Sequence, residues 1–275
     1  MLKEWPLVAF TILGQTAVGL FILGVTPFLL IYDGAGSDPG AFLALLASVV
    51  GLLTVAALVS FVHLHHPLKA VRSVANFRTS WLSREIFFEL LFIALAAAEA
   101  VLVRAGAAPA PVRIVHVLAG LAGLSFLLSM IGIYMLESLP FWDQAATPVS
   151  FVAAALVLGV LAAAGITGVA KLYVLAAALV LVDVAVALAF APGHGWFVRP
   201  APAAIRPPAA LSRGLHFAGL GLETTGLGLL GWGLFVRPGP LGSAGAWLAA
   251  VLGLIAAAQI VRRFLFYGLA ARAGR

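Results

Sequence analysis

Along this chain the apolar residues neither alternate with polar ones nor recur on a single helical stripe. They form long unbroken runs, at about 7–31, 41–62, 86–103, 114–136, 149–170, 172–191, 211–235 and 244–269. Most approach the roughly 17–25 residues that carry a helix across a bilayer. A membrane β-barrel would instead show alternating segments of about ten residues, so the pattern predicts an all-α integral membrane bundle of eight transmembrane helices. Little chain remains between the runs. The longest gap, 192–210, "PGHGWFVRPAPAAIRPPAA", is too short and too rich in proline to fold alone. Residues 1–275 are therefore expected to form a single polytopic membrane domain. The opening "MLKEWPLVAF" lacks the basic start and small-residue cleavage site of a signal peptide and is expected to be retained as part of the first span.

Composition sharpens this picture. Only 9% of residues are charged, against roughly 25% in soluble domains. Cysteine is absent, which excludes disulfides, thiolate zinc sites and iron–sulfur clusters held by this chain's own thiolates. With eight spans both termini share a face, and the sixteen Lys and Arg residues divide twelve to four in favour of that face. By the positive-inside rule it would be cytoplasmic. A basic landing surface for an acidic soluble partner would give the same asymmetry on either side of the membrane.

Where span two stops, the sequence reads "HLHHPLKA", with His63, His65 and His66 bunched before Pro67. Proline disfavours helical geometry at the residue before it, so the imidazoles are expected at the membrane–water boundary. Ser83 is expected to cap span three, with Arg84 and Glu85 in its first turn. That places the histidines and Glu85 at one depth if spans two and three are neighbours. Between spans five and six, "GITGVAKLY" permits a tight turn and makes those helices antiparallel neighbours.

Three chemistries are open to the histidines beyond favourable placement at a helix C-terminus. As proton acceptors they titrate under mild conditions, which suits a reaction in which protons and electrons leave together. As metal ligands, His63 and His66 stand i, i+3, but Pro67 unwinds the helix there and no metal-binding motif lies nearby, so no metal is expected. As haem ligands, His63 and His216 share a face, whereas His116 opens span four at the other, and no haem is expected. Within the spans, Glu89, Glu99, Asp183 and Glu223 are costly in lipid and should face the bundle interior. Glu85, Glu89 and Glu99 fall broadly on one side of helix three and offer a possible proton path, unless each acid is simply protonated or hydrogen-bonded to another helix.

These residues resemble a known family. "EWPLVAFTILGQTAVG", "HLHHPLKAVRSVANFRTSWLSRE", "LPFWDQAATPVSF" and "RRFLFYGL" are similar, in order and across the whole sequence, to segments of the membrane-anchor subunits of the dimethyl sulfoxide reductase type, a family that includes anchors of sulfite dehydrogenases. The resemblance implies an eight-helix subunit without haem that exchanges electrons between membrane menaquinone, or another quinone, and a four-cluster iron–sulfur subunit. That partner serves a molybdopterin catalytic subunit, so iron–sulfur clusters and molybdopterin belong to partners only. It further implies the cytoplasmic (inner) membrane and ties His63 and Glu85 to quinol binding and oxidation. Lys69 stands where the family usually has arginine, His65 and His66 replace small residues, and Gln259 stands where a relative has glutamate. The reductase resemblance puts the terminal face outside, against the charge count; the sulfite-oxidising relatives would reconcile the two.

Together these readings describe a non-catalytic anchor on which a quinone ring stops between His63 and Glu85. His63 exchanges a proton with a ring oxygen, Glu85 relays it, and Lys69, Arg72 and Arg84 hold negative charge or dock the partner. No nucleic-acid partner is expected. The rival is a proton-coupled transporter using Glu99, Asp183 and Glu223, although its spans lack the broken helices such proteins often show.

Overall fold

A computed structural model describes residues 5–33, 39–63, 76–136, 142–190, 209–235 and 245–270. Within them the protein is all-helical. In order the long helices are α1 (Trp5–Ile31), α2 (Gly40–His63), α3 (Trp81–Arg104), α4 (Pro109–Tyr134), α5 (Ala146–Thr167), α6 (Ala170–Ala189), α7 (Ala209–Phe235) and α8 (Gly245–Ala270). Seven spans among the described residues, in every helix but α7, are long and apolar enough to cross a membrane. Glu223, paired threonines and closely spaced glycines dilute the apolar content of α7.

The most deeply enclosed span is α1, which packs against α2, α4, α5 and α8. Its approach to α5 is backbone to backbone. A Cβ on Gly19 would fall on the Ala155 carbonyl, and one on Gly159 would fall on the Gly19 backbone. Two apolar cores meet across this contact, one formed mainly by α1 to α4 and the other by α5 to α8. Since water is absent from both faces of such a helix, small residues rather than apolar stripes set where helices touch.

The expected neighbours are present: α2 lies against α3, and α5 against α6. Gly168 closes α5 in the left-handed region at φ 66°, and the Tyr173 hydroxyl donates to the Ala164 carbonyl at 2.7 Å, tying the turn to both helices. One boundary differs from expectation. The cap of α3 is Ser80, whose hydroxyl accepts from the Ser83 backbone N–H at 3.3 Å. Ser83 is therefore inside the first turn and buried, and the helix starts earlier than the apolar run because its first turn is amphipathic.

Helix directions define two ends of the bundle. The end of α2, the start of α3, the end of α4 and the last turns of α8 share one, here the Glu85 end; the α3–α4 connection lies at the other, the Glu99 end. Arg262 and Arg263, counted above among the charges of the terminal face, lie inside α8 and are mostly buried. Removing them narrows the charge asymmetry, since the positive-inside rule concerns loops and helix ends.

Candidate functional site

Glu85 sits one turn into α3 and is 5% exposed; Glu89, a turn later on the same face, is 4% exposed. They turn inward because the i, i+4 spacing repeats nearly a full helical turn, while Phe87 and Leu90 between and after them face outward. Glu85 lies within electrostatic range of Glu89, Tyr134 and Tyr267. The two tyrosines, from the end of α4 and the end of α8, share a hydrogen bond of 2.8 Å between hydroxyls.

Arg263 completes this layer. It is 4% exposed, donates to the Gln15 amide oxygen of α1 at 2.8 Å, and lies with its guanidinium 3.9 Å from the Phe151 ring centre. A cation over an aromatic face is attracted to the ring quadrupole, more strongly when water is absent. The Gln15 amide in turn points its nitrogen at the Met130 sulfur, at 3.9 Å. Trp142 stacks on Phe266 and donates its indole N–H to the Phe266 carbonyl at 2.9 Å, holding the last turns of α8 against the start of α5. The result is a buried constellation of carboxyls, phenols and one guanidinium at the Glu85 end of the bundle, drawn from α3, α4 and α8. Its groups can hold, donate and accept protons. Glu89 Oε1 is buried without a partner among the described residues, an acceptor that an interior rarely leaves bare.

Of the residues expected at this site, His63 ends α2, at the same end of the bundle as Glu85. His65, His66, Lys69 and Arg72 lie outside the described residues. Arg84 serves the local backbone: it donates to the Phe77 carbonyl at 3.0 Å and the Arg78 carbonyl at 2.7 Å and stacks 4.4 Å from the Trp81 ring centre. Glu99 is on the buried side of α3, as expected, but fully buried Phe92 and Ala96 separate it from Glu89, and its partner is His116. Arg263, Tyr267 and Gln15 were not singled out from sequence. An arginine within the apolar run of α8 was the available signal for the first; the others carry no signal in a single sequence.

A second buried polar group joins α6, α7 and α8. Gln259 donates to Asp183 at 2.5 Å and to Glu223 at 3.1 Å, while Arg262 donates to Asp183 at 2.9 Å and pairs with Glu223. Asp183 and Glu223, expected to face inward, do so, and each is matched to α8. A groove of about 390 Å³ between α5 and α6 reaches Asp183, otherwise lined by apolar residues. This carboxylate already binds Gln259 and Arg262, so the groove offers little unengaged polar chemistry.

A multi-pass helical membrane protein with its ionisable groups gathered inside the bundle is the class that fold and site define. The sequence matches the family described as DMSO reductase anchor subunit (DmsC) over residues 1–269, and the protein belongs to that family. It is 29% identical over 151 residues to the C subunit of the anaerobic dimethyl sulfoxide reductase of Haemophilus influenzae, a match that takes in 54% of this sequence and 53% of that one. It is 30% identical over 172 residues to YnfH, an anaerobic dimethyl sulfoxide reductase subunit of Escherichia coli, taking in 61% and 59%. The matched stretches thus span somewhat over half the length of these curated relatives. No solved structure matches the sequence.

Proposed function

We propose that this protein is the quinone-reactive membrane anchor of a molybdopterin oxidoreductase complex, crossing the inner membrane eight times and passing electrons between quinone and a four-cluster iron–sulfur subunit. Family membership supports the anchor role. The observation that carries the quinone reading is the burial of Glu85 beside the Tyr134–Tyr267 pair, at the end of the bundle where α2 stops at His63.

These residues fit a ring bearing oxygens at opposite edges, because carboxyl, phenol and guanidinium groups match oxygen acceptors and hydroxyl donors. A bound quinone supplies two-electron chemistry coupled to gain or loss of protons at those oxygens. His63 exchanges a proton at one oxygen, and Glu85 takes that proton onward to the membrane surface. Tyr134 and Tyr267 share the buried layer with Glu85 and help exclude water from it. Arg263, held by Gln15 and Phe151, places a fixed positive charge in the same buried layer, where it favours negative charge on a ligand oxygen. Arg84 closes the loop before α3 and fixes its first turn, while Lys69 and Arg72 serve to hold negative charge or to dock the iron–sulfur partner. The terminal substrate reacts in the catalytic subunit, not here.

The test uses the purified complex with His63→Ala and Glu85→Gln. Each abolishes turnover with quinol analogues and leaves assembly and activity with a soluble dye donor intact. Equal loss in both assays would place these residues in folding or docking instead.

A further inference from the structure

At the Glu99 end of the bundle, α1, α3 and α4 converge on a buried group that the quinone reading does not use. Glu99 is completely buried and its Oε1 lies 2.9 Å from His116 Nδ1. The other imidazole nitrogen, Nε2, lies 3.1 Å from the Thr26 hydroxyl. The imidazole stacks on Phe21, with 4.6 Å between ring centres.

The sequence reaches this arrangement through an irregularity. Phe21–Val25 of α1 is a π-helical turn, in which the Thr26 backbone N–H reaches back to the Phe21 carbonyl. One extra residue in a turn rotates everything after it by about 100°, and such turns recur at functional positions. Here it aims Thr26 at His116 and leaves Phe21 beneath the imidazole.

Hydrogen placement follows. The Thr26 hydroxyl has one hydrogen, and it donates to the Phe21 carbonyl at 3.2 Å. Its oxygen is then an acceptor toward His116, so Nε2 carries a hydrogen. The short contact between Nδ1 and Glu99 requires one further proton, on the nitrogen or on the carboxyl. With it the pair is neutral overall, which a site without water demands. Glu99 Oε2 remains buried with no partner among the described residues. It is an open acceptor through which a proton can arrive.

We propose that Glu99, His116 and Thr26 form a proton-binding site toward the membrane face opposite Glu85, holding one exchangeable proton between Glu99 and His116. The charged groups nearest along the same helices are Arg104 and Arg113, both exposed, and Asp33 follows α1; neither α5 nor the part of α2 before His63 contributes an ionisable side chain. Between this site and Glu89 the buried face of α3 carries Phe92, whose ring packs edge-on against Phe21 at 5.3 Å between centres. A Cβ on Gly123 would press on the Phe92 ring at 3.1 Å. An aromatic layer therefore separates the two sites, and each answers to its own face.

The full-length protein, labelled with nitrogen-15 histidine in lipid vesicles, tests this by solid-state magnetic resonance and infrared spectroscopy at neutral pH. The His116 Nε2 signal is expected to be protonated. The shared proton is expected either on Nδ1 or as a protonated-carboxyl band, and Glu99→Gln eliminates whichever is seen. In vesicles of one orientation, deuterium reaches this proton first from the side of the α3–α4 connection. A bare Nδ1 in the unsubstituted protein, with no carboxyl band that Glu99→Gln removes, overturns the proposal; so does exchange that arrives first from the Glu85 side. Neither readout needs a quinone or a partner, so the outcome is independent of the quinone reading.

Discussion

Tyr134 and Tyr267 come from positions 133 residues apart, and their hydroxyls share one hydrogen bond inside the bundle. Replacing Tyr134 with phenylalanine leaves the Tyr267 hydroxyl buried with that partner gone, at a cost of about 1–3 kcal/mol. A lower midpoint of denaturant unfolding checks this. In the assembled complex the same variant lowers quinol-analogue turnover several-fold and spares the dye assay; unchanged turnover would reduce the phenol pair to packing. The acids were legible from sequence, since a carboxylate in an apolar run stands out. Their partners were not. Gln15 meets Arg263 across 248 positions, and nothing in a single sequence joins two such distant residues. Arg263 was visible but was grouped with loop charges, because its depth in α8 depends on where that helix ends.

At the level of helices, backbone proximity decides which glycines matter. Gly19→Ala drives a methyl group into the Ala155 carbonyl, which has no rotamer with which to yield. We expect it to cost about 1–3 kcal/mol or more and to reduce the yield of folded protein. Gly14→Ala meets only the Met130 methyl and the edge of the Phe126 ring, whose flexible neighbour Met130 can move, and should cost less. Gly168→Ala, at positive φ, should cost about 1–2 kcal/mol, while Gly214→Ala, with open space around it, should not. Comparing unfolding midpoints of the four variants tests the set, and equal effects would contradict the α1–α5 crossing. Helix existence was written in the lengths of the apolar runs. Which helices cross was not, because an all-round apolar surface has no stripe to point at its neighbour. The start of α3 was missed by three residues for a related reason: Trp81 to Ser83 belong to the helix but lie before the apolar run.

For the whole molecule, the eighth crossing rests on α7, the helix most diluted by glycine and polar residues. The absence of cysteine makes single-cysteine labelling clean. Lys3→Cys and Arg272→Cys should react from the same side of the membrane if α7 crosses, and from opposite sides if it does not. That result fixes which residues share a face with His63 and Glu85, on which the quinone reading depends. The most direct measurement is a cryo-electron microscopy map of the complex with a quinone-site inhibitor bound. The account predicts its ring between the end of α2 and the start of α3, in contact with Glu85 and His63 and within reach of Tyr134. Density at the Glu99 end of the bundle, or in the α5–α6 groove with none beside Glu85, would contradict it.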